Sequence, residues 1–463
     1  MSSLRAHLSR FSALYVCMLA YALTVVLGNV LYTFPFASDW PAASIPGFSQ
    51  ASFSNVRNWT FWLLLLAPLV AWPGIAVFVG RCTNRLATTM ASKIPEIPLG
   101  LYVIMCVATV LYVGYALVTH DALTLFVSPE TQLEAIHSRY ALLAAMGFKP
   151  NIALKAILVF LTVYGVIRFA RGDGWRWGAA AILTAIVTAF CLILLNMKWP
   201  VVIFIFTIAL AVFVASRRHT TIAVVAVTAL GAATYLVIST FLMRFVPSFA
   251  IETAAADASS ASRAINAATA VAGQVAISSF DSAATNIVAA INRMAINVPF
   301  YLTYSDFVLD CPRGLRSLWI DRPLSCEPTL RVYAQMFGDD GFVGIGTAPA
   351  TGSLYWYALD GWLGTALALT LGGLLLGLFS SLWEGARANA IFAAAVTMGG
   401  YTGYFVSQLP IEGPVIYDHG MLWWTLLVLL WAALFWGGRY LYLRLFSRRR
   451  APLAQQLHPP PNA

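Results

Sequence analysis

The stretch LTAIVTAFCLILLNMKWPVVIFIFTIALAVFV, residues 183–214, decides the fold class of this chain. It belongs to two apolar runs, 177–197 and 200–216, which meet at a short polar break around Lys198. At about 1.5 Å of rise per helical residue, such runs cross or nearly cross a hydrocarbon core about 30 Å thick. Proline is favoured in the first turn of a helix, so Pro200 marks the start of the second helix. The stretch predicts a tight hairpin of two membrane helices.

The whole chain has this apolar character. Of its 463 residues, 60% are hydrophobic and only 10% are charged, and the mean hydropathy is +0.77. This composition leaves too little polar surface for a soluble globular protein. We predict an all-α polytopic membrane protein of about ten spans. They lie near residues 12–34, 59–80, 98–118, 152–168, 177–197, 200–216, 220–243, 354–380, 388–406 and 420–438.

Basic residues alternate between the two ends of these spans. If the N-terminus is cytoplasmic, all six inside segments carry Arg or Lys, whereas the short outside loops carry few. The positive-inside rule therefore predicts that both termini are cytoplasmic. The net charge of +9 then reflects topology, and no nucleic-acid partner is needed to explain it.

A long outer segment follows from this topology. Residues 244–351 separate a seven-helix part, 1–243, from a three-helix part, 352–440, and residues 441–463 form a cytoplasmic tail. The uncharged stretch 264–280 is short for a span, and a further span would place the basic C-terminus outside. We expect the outer segment to form short helices, some of them lying at the membrane interface.

Two of the six cysteines, Cys311 and Cys326, belong to this outer segment. In an oxidising compartment a disulfide between them is expected, with two free thiols as the alternative. Such a bond stabilises a loop by about 2 to 4 kcal/mol. The other four cysteines lie within or beside the predicted spans, where Cys behaves as a small hydrophobic residue.

Four cations are candidates for binding an anionic group at the outer surface. Lys198 lies in the hairpin, Arg244 ends the predicted seventh span, Arg293 falls in an apolar segment, and Arg331 closes a charged cluster that begins at residue 310. Charge near the membrane is costly unless the side chain snorkels or has a partner. The alternatives are snorkelling for Lys198 and a solvated, ion-paired loop for Arg331. Arginine also binds phosphate oxygens bidentately and keeps its charge.

The stretch GTAPATGSLYWYALDGWLGTALALTLGGLLLGL, residues 346–378, follows the outer segment. Its small residues, hydroxyls, tyrosine and G-x-x-G lie at the head of a long span. With the even number of spans, the large outer loop and the basic hairpin, this pattern resembles the Wzy-type oligosaccharide repeat unit polymerases. The matching residues are Thr351, Ser353, Tyr355, Gly361 and Gly364. Lys198 departs from the family's usual Arg after Gly.

The resemblance implies a GT-C-like fold and an inverting, metal-independent glycosyltransferase without a cofactor. Its substrate would be an undecaprenyl-diphosphate-linked oligosaccharide in the membrane lipid, polymerised on the periplasmic face. A chain-length regulator protein is a possible partner. The family is similar to the O-antigen ligases, so a ligase is one alternative, and a flippase or transporter of lipid-linked oligosaccharide is another. Cations would stabilise the departing diphosphate, which is the main electrostatic task of this reaction.

The stretch SQLPIEGPVIYDHGMLWW, residues 407–424, offers a general base for the acceptor hydroxyl. Its candidates are Glu412, Asp418 and His419, and a neutral imidazole is well matched to pH 7. An Asp-His pair at a helix start is alternatively an N-terminal cap. No spaced D-x-D, His cluster or Cys/His pattern suggests a metal site.

A transporter would instead place ionisable groups near the bilayer midplane or break its helices. The spans contain few such groups, and Lys155 and Asp360 lie near predicted span ends. Gly373 and Gly377 form a small-x-x-x-small pair, which predicts close helix packing.

Overall fold

The computed structural model describes residues 2–33, 58–127, 132–195, 197–215, 229, 301, 328–337, 350–417 and 420–456. Helices are the regular elements of these ranges, which contain no β-strand. In chain order the α-helices are α1 Ser2–Arg10, α2 Ser12–Tyr21, α3 Leu27–Thr33, α4 Trp59–Cys82, α5 Asn84–Lys93, α6 Leu99–Thr119, α7 Ala122–Val127, α8 Gln132–Met146, α9 Phe148–Ile152, α10 Val159–Ala170, α11 Trp175–Leu194, α12 Lys198–Ala215, α13 Pro328–Phe337, α14 Gly352–Ser381, α15 Trp383–Ala386, α16 Ala390–Gln408, α17 Glu412–Val415 and α18 Met421–Gln456. Two π-helical segments, Ala22–Val26 and Ala153–Leu158, join α2 to α3 and α9 to α10.

Eight helices in the described ranges are long and apolar enough to cross a membrane. They correspond to eight of the ten predicted spans, so the chain is a polytopic membrane protein whose described part is all-helical. The eight are Ser12–Val30, Trp59–Cys82, Leu99–Thr119, Phe148–Ala170, Trp175–Leu194, Gly352–Ala386, Ala390–Gln408 and Met421–Tyr440. The predicted span 200–216 is a shorter apolar helix, Pro200–Ala215, and the predicted span 220–243 falls outside the described residues.

The hairpin expected around Lys198 is confirmed. Helix α11 ends at Leu194 and α12 begins at Lys198, so only three residues connect them. Pro200 lies in the first turn of α12, where its missing N–H costs the helix no hydrogen bond.

The close packing predicted for Gly373 and Gly377 is also confirmed. Both glycines of α14 face α4, and a Cβ on Gly373 would lie 2.6 Å from the Cβ of Ile75. A Cβ on Gly377 would lie 2.8 Å from the Ala76 carbonyl oxygen. Since real Cβ atoms do not approach so closely, the absence of side chains lets the two helices pack against one another.

Helix α16 is the centre of the bundle. Its residues are buried from Ala390 to Ser407, among α2, α10, α12 and α14. Gly403 packs against the Ala13 carbonyl of α2, and Gly399 packs against the Phe379 ring of α14. Although it is buried on all sides, this helix carries polar residues.

Contacts between residues far apart in the sequence show which helix ends lie together at each of the two ends of the bundle. At one end, called the Glu96 end, the Trp431 indole N–H donates to the Pro95 carbonyl (2.8 Å) and the Ala390 N–H donates to the Glu96 carboxylate (2.7 Å). The opposite group, called the Glu412 end, includes the residues before α17 and the start of α4. This sorting agrees with the alternation of the predicted topology, in which the Glu412 end is the outer one.

Candidate functional site

Helix α14 is broken at Asp360 and Gly361. The backbone there is non-helical, with φ/ψ of −139°/16° at Asp360 and 64°/−144° at Gly361. The Thr365 hydroxyl donates to the Ser353 carbonyl (3.1 Å), although a straight helix would separate these residues by about 18 Å. Residues 352–359 therefore fold back along the start of 362–381. We call 352–359 the re-entrant helix.

The predicted span 354–380 therefore needs correction. Its first residues belong to the re-entrant helix, and the continuous helix that runs toward the Glu96 end is 362–381. Most residues on both sides of the break are apolar, so the segment was predicted as one span.

The tip of the re-entrant helix lies inside the bundle. Thr351 and Ser353 are each only 1% exposed, and their hydroxyls are 3.3 Å apart. The Ser353 hydroxyl donates to the carbonyl of Leu64 (3.4 Å), which lies five residues, or about 8 Å, along α4 from its first residue, Trp59. The Tyr21 hydroxyl, adjacent to Thr351 and Ser353, donates to the Leu65 carbonyl (2.8 Å). These hydroxyl and carbonyl groups hold the tip beside the first turns of α4.

Glycine makes this geometry possible at two positions. Gly361 adopts a backbone conformation that is open essentially to glycine alone. At Gly364, the Trp356 carbonyl oxygen of the re-entrant helix occupies the space that a Cβ would need. The residues singled out in the sequence therefore belong to one structural feature. Gly361 and Gly364 form the turn of the re-entrant helix, and Thr351 and Ser353 form its tip.

Of the three predicted general bases, Glu412 is among the described residues, and the residues just before it pack against this tip. A Cβ on Gly352 would lie 3.5 Å from the Leu409 carbonyl and 3.9 Å from the Ile411 nitrogen, in the segment that leads into α17. Glu412 is half-buried, and its Oε2 atom is inaccessible to solvent. Asp418 and His419 fall outside the described residues.

The predicted cations are only partly described. Lys198 is the first residue of α12, and Arg331 lies in α13, which packs against α14 and leaves the Arg331 side chain exposed. Arg244, Arg293 and both predicted disulfide cysteines, Cys311 and Cys326, lie outside the described residues. The structure thus brings Glu412 and the Ser/Thr residues to the same end of the bundle, with Arg331 on a helix that packs against α14.

Lys155, which the sequence analysis placed near the end of a predicted span, is buried. It is 5% exposed and lies in the π-helical segment between α9 and α10. The Tyr401 hydroxyl of α16 donates to its backbone carbonyl (3.0 Å). A single Lys in an apolar run was the available sequence signal, but its burial depends on helices far away in the chain.

Polar side chains form a stripe along the buried helix α16. Thr397, Tyr401, Tyr404 and Gln408 are spaced by four, three and four residues, so they lie on one helical face. Gln408 at the Glu412 end donates to the Thr24 hydroxyl (2.7 Å), which belongs to the other π-helical segment. The central helix therefore bonds to both π-helical segments through the same polar stripe.

A second polar cluster lies at the Glu96 end. The Arg168 guanidinium is 3.0 Å from the Glu96 carboxylate, bonds to Asp173, and lies over the Trp177 ring at 4.6 Å. Since Glu96 also accepts from the N–H of Ala390, its negative charge sits at the N-terminus of α16, where the helix dipole favours it. The sequence analysis used the basic residues of the inside segments for topology alone, and it did not identify Glu96 as a partner for one of them.

Comparisons of the chain with protein-family models, curated proteins and solved structures found no match.

Proposed function

We propose that this protein is a glycosyltransferase of the inner membrane that polymerises polyprenyl-diphosphate-linked oligosaccharide units on the periplasmic face. The observation that supports this most is the re-entrant helix, whose buried Thr351 and Ser353 lie at the same bundle end as Glu412. Irregular backbone at membrane depth is tolerated only where protein buries it or where it lines a cavity. Such a feature is costly to build, so it favours a functional role for this end of the bundle.

The reaction is a single displacement. A hydroxyl of the acceptor glycan attacks the anomeric carbon of the donor, a new C–O bond forms, and the bond to the lipid diphosphate breaks with inversion. The diphosphate leaves with both electrons of the broken bond, and the proton of the acceptor hydroxyl passes to the base, which we assign to Glu412. The atoms and electrons of this reaction balance without a metal, an oxidant or a cofactor.

We assign the electrostatic stabilisation of the leaving group to two of the predicted cations, Lys198 and Arg331. The Arg331 side chain on α13 is exposed, and Lys198 begins α12. Charge-assisted hydrogen bonds of this kind contribute about 1.5 to 3 kcal/mol each. Two or three of them supply a substantial part of the stabilisation that the departing charge requires.

The decisive experiment uses purified protein in nanodiscs with a defined undecaprenyl-diphosphate oligosaccharide. Lipid-linked products of increasing length are expected on gels and by mass spectrometry, together with one undecaprenyl diphosphate released per bond. Glu412→Gln is expected to lower the rate about 10²- to 10⁴-fold, as loss of a general base does. Glu384→Gln, which changes a carboxylate at the Glu96 end, is the matched control and keeps the wild-type rate.

Two observations favour a second candidate, a flippase or transporter of lipid-linked oligosaccharide. A broken helix and a buried cation inside the bundle are both features of transporters. Proteoliposomes with the oligosaccharide lipid in one leaflet separate the two functions. Movement of unchanged lipid to the other leaflet, without lengthening, supports the transporter and rejects the polymerase.

A further inference from the structure

Helix α18 is bonded to the short link between α5 and α6 through two tryptophan side chains. The Trp436 indole N–H donates to the carbonyl oxygen of Lys93 (2.7 Å), which is the last residue of α5. The last carbonyls of a helix have no partner within that helix, so this bond satisfies one of them. The Trp431 indole N–H donates to the Pro95 carbonyl of the same link (2.8 Å). The two bonds fix the position of the link relative to α18.

Two cationic residues adjoin Trp436. The Arg439 guanidinium lies over the Trp436 ring, 5.2 Å from its centroid, which is within the range of a cation–π contact. The indole bond holds the Lys93 backbone beside the same residue. Lys93 and Arg439 are both exposed to the surroundings of the protein. We call Lys93, Trp436 and Arg439 the Trp436 cluster.

Acidic residues at this end of the bundle are bonded to other cations. Glu96 and Asp173 both pair with Arg168, and Glu384 lies 3.6 Å from Arg387. Among the residues that the structure describes, the two cations of the Trp436 cluster form no ion pair. Both positive charges are therefore open to an anion from outside the protein.

The Trp436 cluster lies where the membrane meets water. Arg439 is one of the last residues of the apolar span Met421–Tyr440, and Lys93 lies six residues before the span Leu99–Thr119. Tryptophan is enriched at this boundary because its ring system is apolar and its N–H is polar. Trp436 is 43% exposed, so the cluster is accessible to the headgroups of surrounding lipids.

The same helix has an apolar surface toward the middle of the membrane. Leu429, Leu430 and Leu434 are all exposed and lie within about two helical turns of Trp436. A molecule that has an anionic group at the cluster and apolar chains beside these leucines matches both parts of the surface. A phospholipid has this form, whereas a free phosphate ion would use the cations alone.

We propose that the Trp436 cluster is a binding site for an anionic phospholipid, whose headgroup phosphate binds Lys93 and Arg439 and whose acyl chains lie along α18. Basic residues beside a membrane helix attract anionic lipids, and arginine binds phosphate oxygens through two parallel hydrogen bonds. After Arg439, α18 continues to Gln456 with four further arginines and no acid, which adds to the attraction. The site lies at the opposite end of the bundle from Glu412, and it does not depend on the proposed function.

The test measures lipid-induced stabilisation of the purified full chain in detergent. Dioleoylphosphatidylglycerol is the anionic probe, and dioleoylphosphatidylcholine has the same acyl chains without a net charge. A lipid that binds the folded state raises the melting temperature, so titration gives an affinity for each lipid. Phosphatidylglycerol is expected to bind at least about ten-fold more tightly than phosphatidylcholine. Equal affinities overturn the proposal.

Inorganic phosphate tests whether the site takes the free ion. Its effect is compared with that of sodium chloride at the same ionic strength, because salt screens exposed charges. The two salts are expected to give the same melting temperature. A stabilisation by phosphate that disappears when Lys93 and Arg439 are both replaced by Gln overturns the lipid as the occupant.

Lys93→Gln and Arg439→Gln each remove one charge from the site. Each variant is expected to bind phosphatidylglycerol about five-fold more weakly, and the double variant is expected to bind it no better than phosphatidylcholine. Since both positions are exposed, the melting temperatures without lipid are expected to equal that of the wild type. A lower melting temperature without lipid, together with unchanged lipid affinity, assigns the two residues to folding and overturns the site.

Arg387→Gln is the matched control. Arg387 is an exposed arginine at the same end of the bundle and also lies over a tryptophan ring, that of Trp383 (5.9 Å), but Glu384 is its ion-pair partner. The control removes the same charge as Arg439→Gln and is expected to keep the wild-type affinity for phosphatidylglycerol. Equal losses of affinity in the two variants show a general effect of surface charge and overturn the site.

Trp436→Leu separates the geometry of the site from its charge. This variant keeps both cations but loses the indole that bonds to Lys93 and lies under Arg439. Its affinity for phosphatidylglycerol is expected to fall at least about three-fold, because the cations are no longer held in place before the lipid binds. If Trp436→Leu fails to fold, Trp436→Phe replaces it, since phenylalanine keeps a ring and loses the N–H. Wild-type affinity in the variant that folds overturns the cluster as a built site.

Discussion

The carbonyl oxygen of Trp356 lies where a side chain on Gly364 would begin. The two residues are eight positions apart, and they touch because the chain reverses at Asp360 and Gly361. The re-entrant helix therefore packs against the rest of α14 through backbone atoms. A side chain added at Gly364 would clash with backbone, which cannot rotate out of the way as a flexible side chain can.

Gly364→Ala is expected to destabilise the protein by at least about 2 kcal/mol, because the added methyl group would clash with the Trp356 carbonyl and displace the re-entrant helix. Thermal unfolding in detergent or nanodiscs measures the change. Gly114→Ala is the matched control, since a Cβ there meets open space and alanine favours the helix. Equal melting temperatures for the two variants would contradict the reversed chain.

Gly361→Ala is expected to cost about 1 to 3 kcal/mol, the range for a backbone conformation that side chains avoid. Gly361→Asn is not expected to restore stability. Asparagine tolerates the left-handed helical region, whereas Gly361 has a ψ of −144° and lies outside that region. Unfolding temperatures of both variants, compared with Gly100→Ala, test the prediction, and full rescue by Asn would refute it.

Glu96→Gln isolates the charge of the cluster at the Glu96 end, because an amide oxygen can still accept from the Ala390 N–H. The free energy of unfolding of this variant is expected to fall by about 1 kcal/mol. A double-mutant cycle with Arg168→Met is expected to give a coupling energy between Glu96 and Arg168 of about 1 to 2 kcal/mol. The pair is partly buried, with Arg168 15% exposed. Glu384→Gln, which breaks the more exposed pair with Arg387, is expected to lose less than about 0.5 kcal/mol. A coupling energy near zero would show that the Glu96–Arg168 pair does not stabilise the fold.

Cysteine labelling tests which end of the bundle faces the cytoplasm. Cys82 is a free, exposed thiol at the end of α4 that lies toward the Glu96 end. In a background with Cys311 and Cys326 replaced by Ser, an impermeant maleimide is expected to label Cys82 only after the spheroplasts are lysed. Tyr417→Cys, at an exposed position of the Glu412 end, is expected to react in intact spheroplasts. The reverse pattern would invert the topology and remove the periplasmic site.

The membrane spans were predictable because crossing a bilayer is a local requirement. A sufficiently long apolar run satisfies it whatever the rest of the chain does, so eight predicted spans match helices of the structure. The hairpin at Lys198 was predictable for a similar reason, since Pro200 acts on its own turn of helix. The pair Gly373 and Gly377 predicted close packing, although not that the partner was α4.

The candidate site was predictable only as a set of residues. Thr351, Ser353 and Glu412 were singled out in the sequence, but their chain segments approach each other through the fold. The break at Gly361 was not predicted, because the residues on both sides are mostly apolar and were interpreted as one span.

Sequence alone determined that the chain crosses the membrane repeatedly and where most crossings lie, because hydrophobicity and length are properties of each segment by itself. The tertiary structure decided that Lys155 is buried, that Glu96 binds Arg168, and that residues 352–359 turn back into the bundle. Each of these depends on which distant helices surround the residue, and burial, ion pairing and helix reversal have no meaning until those helices have packed.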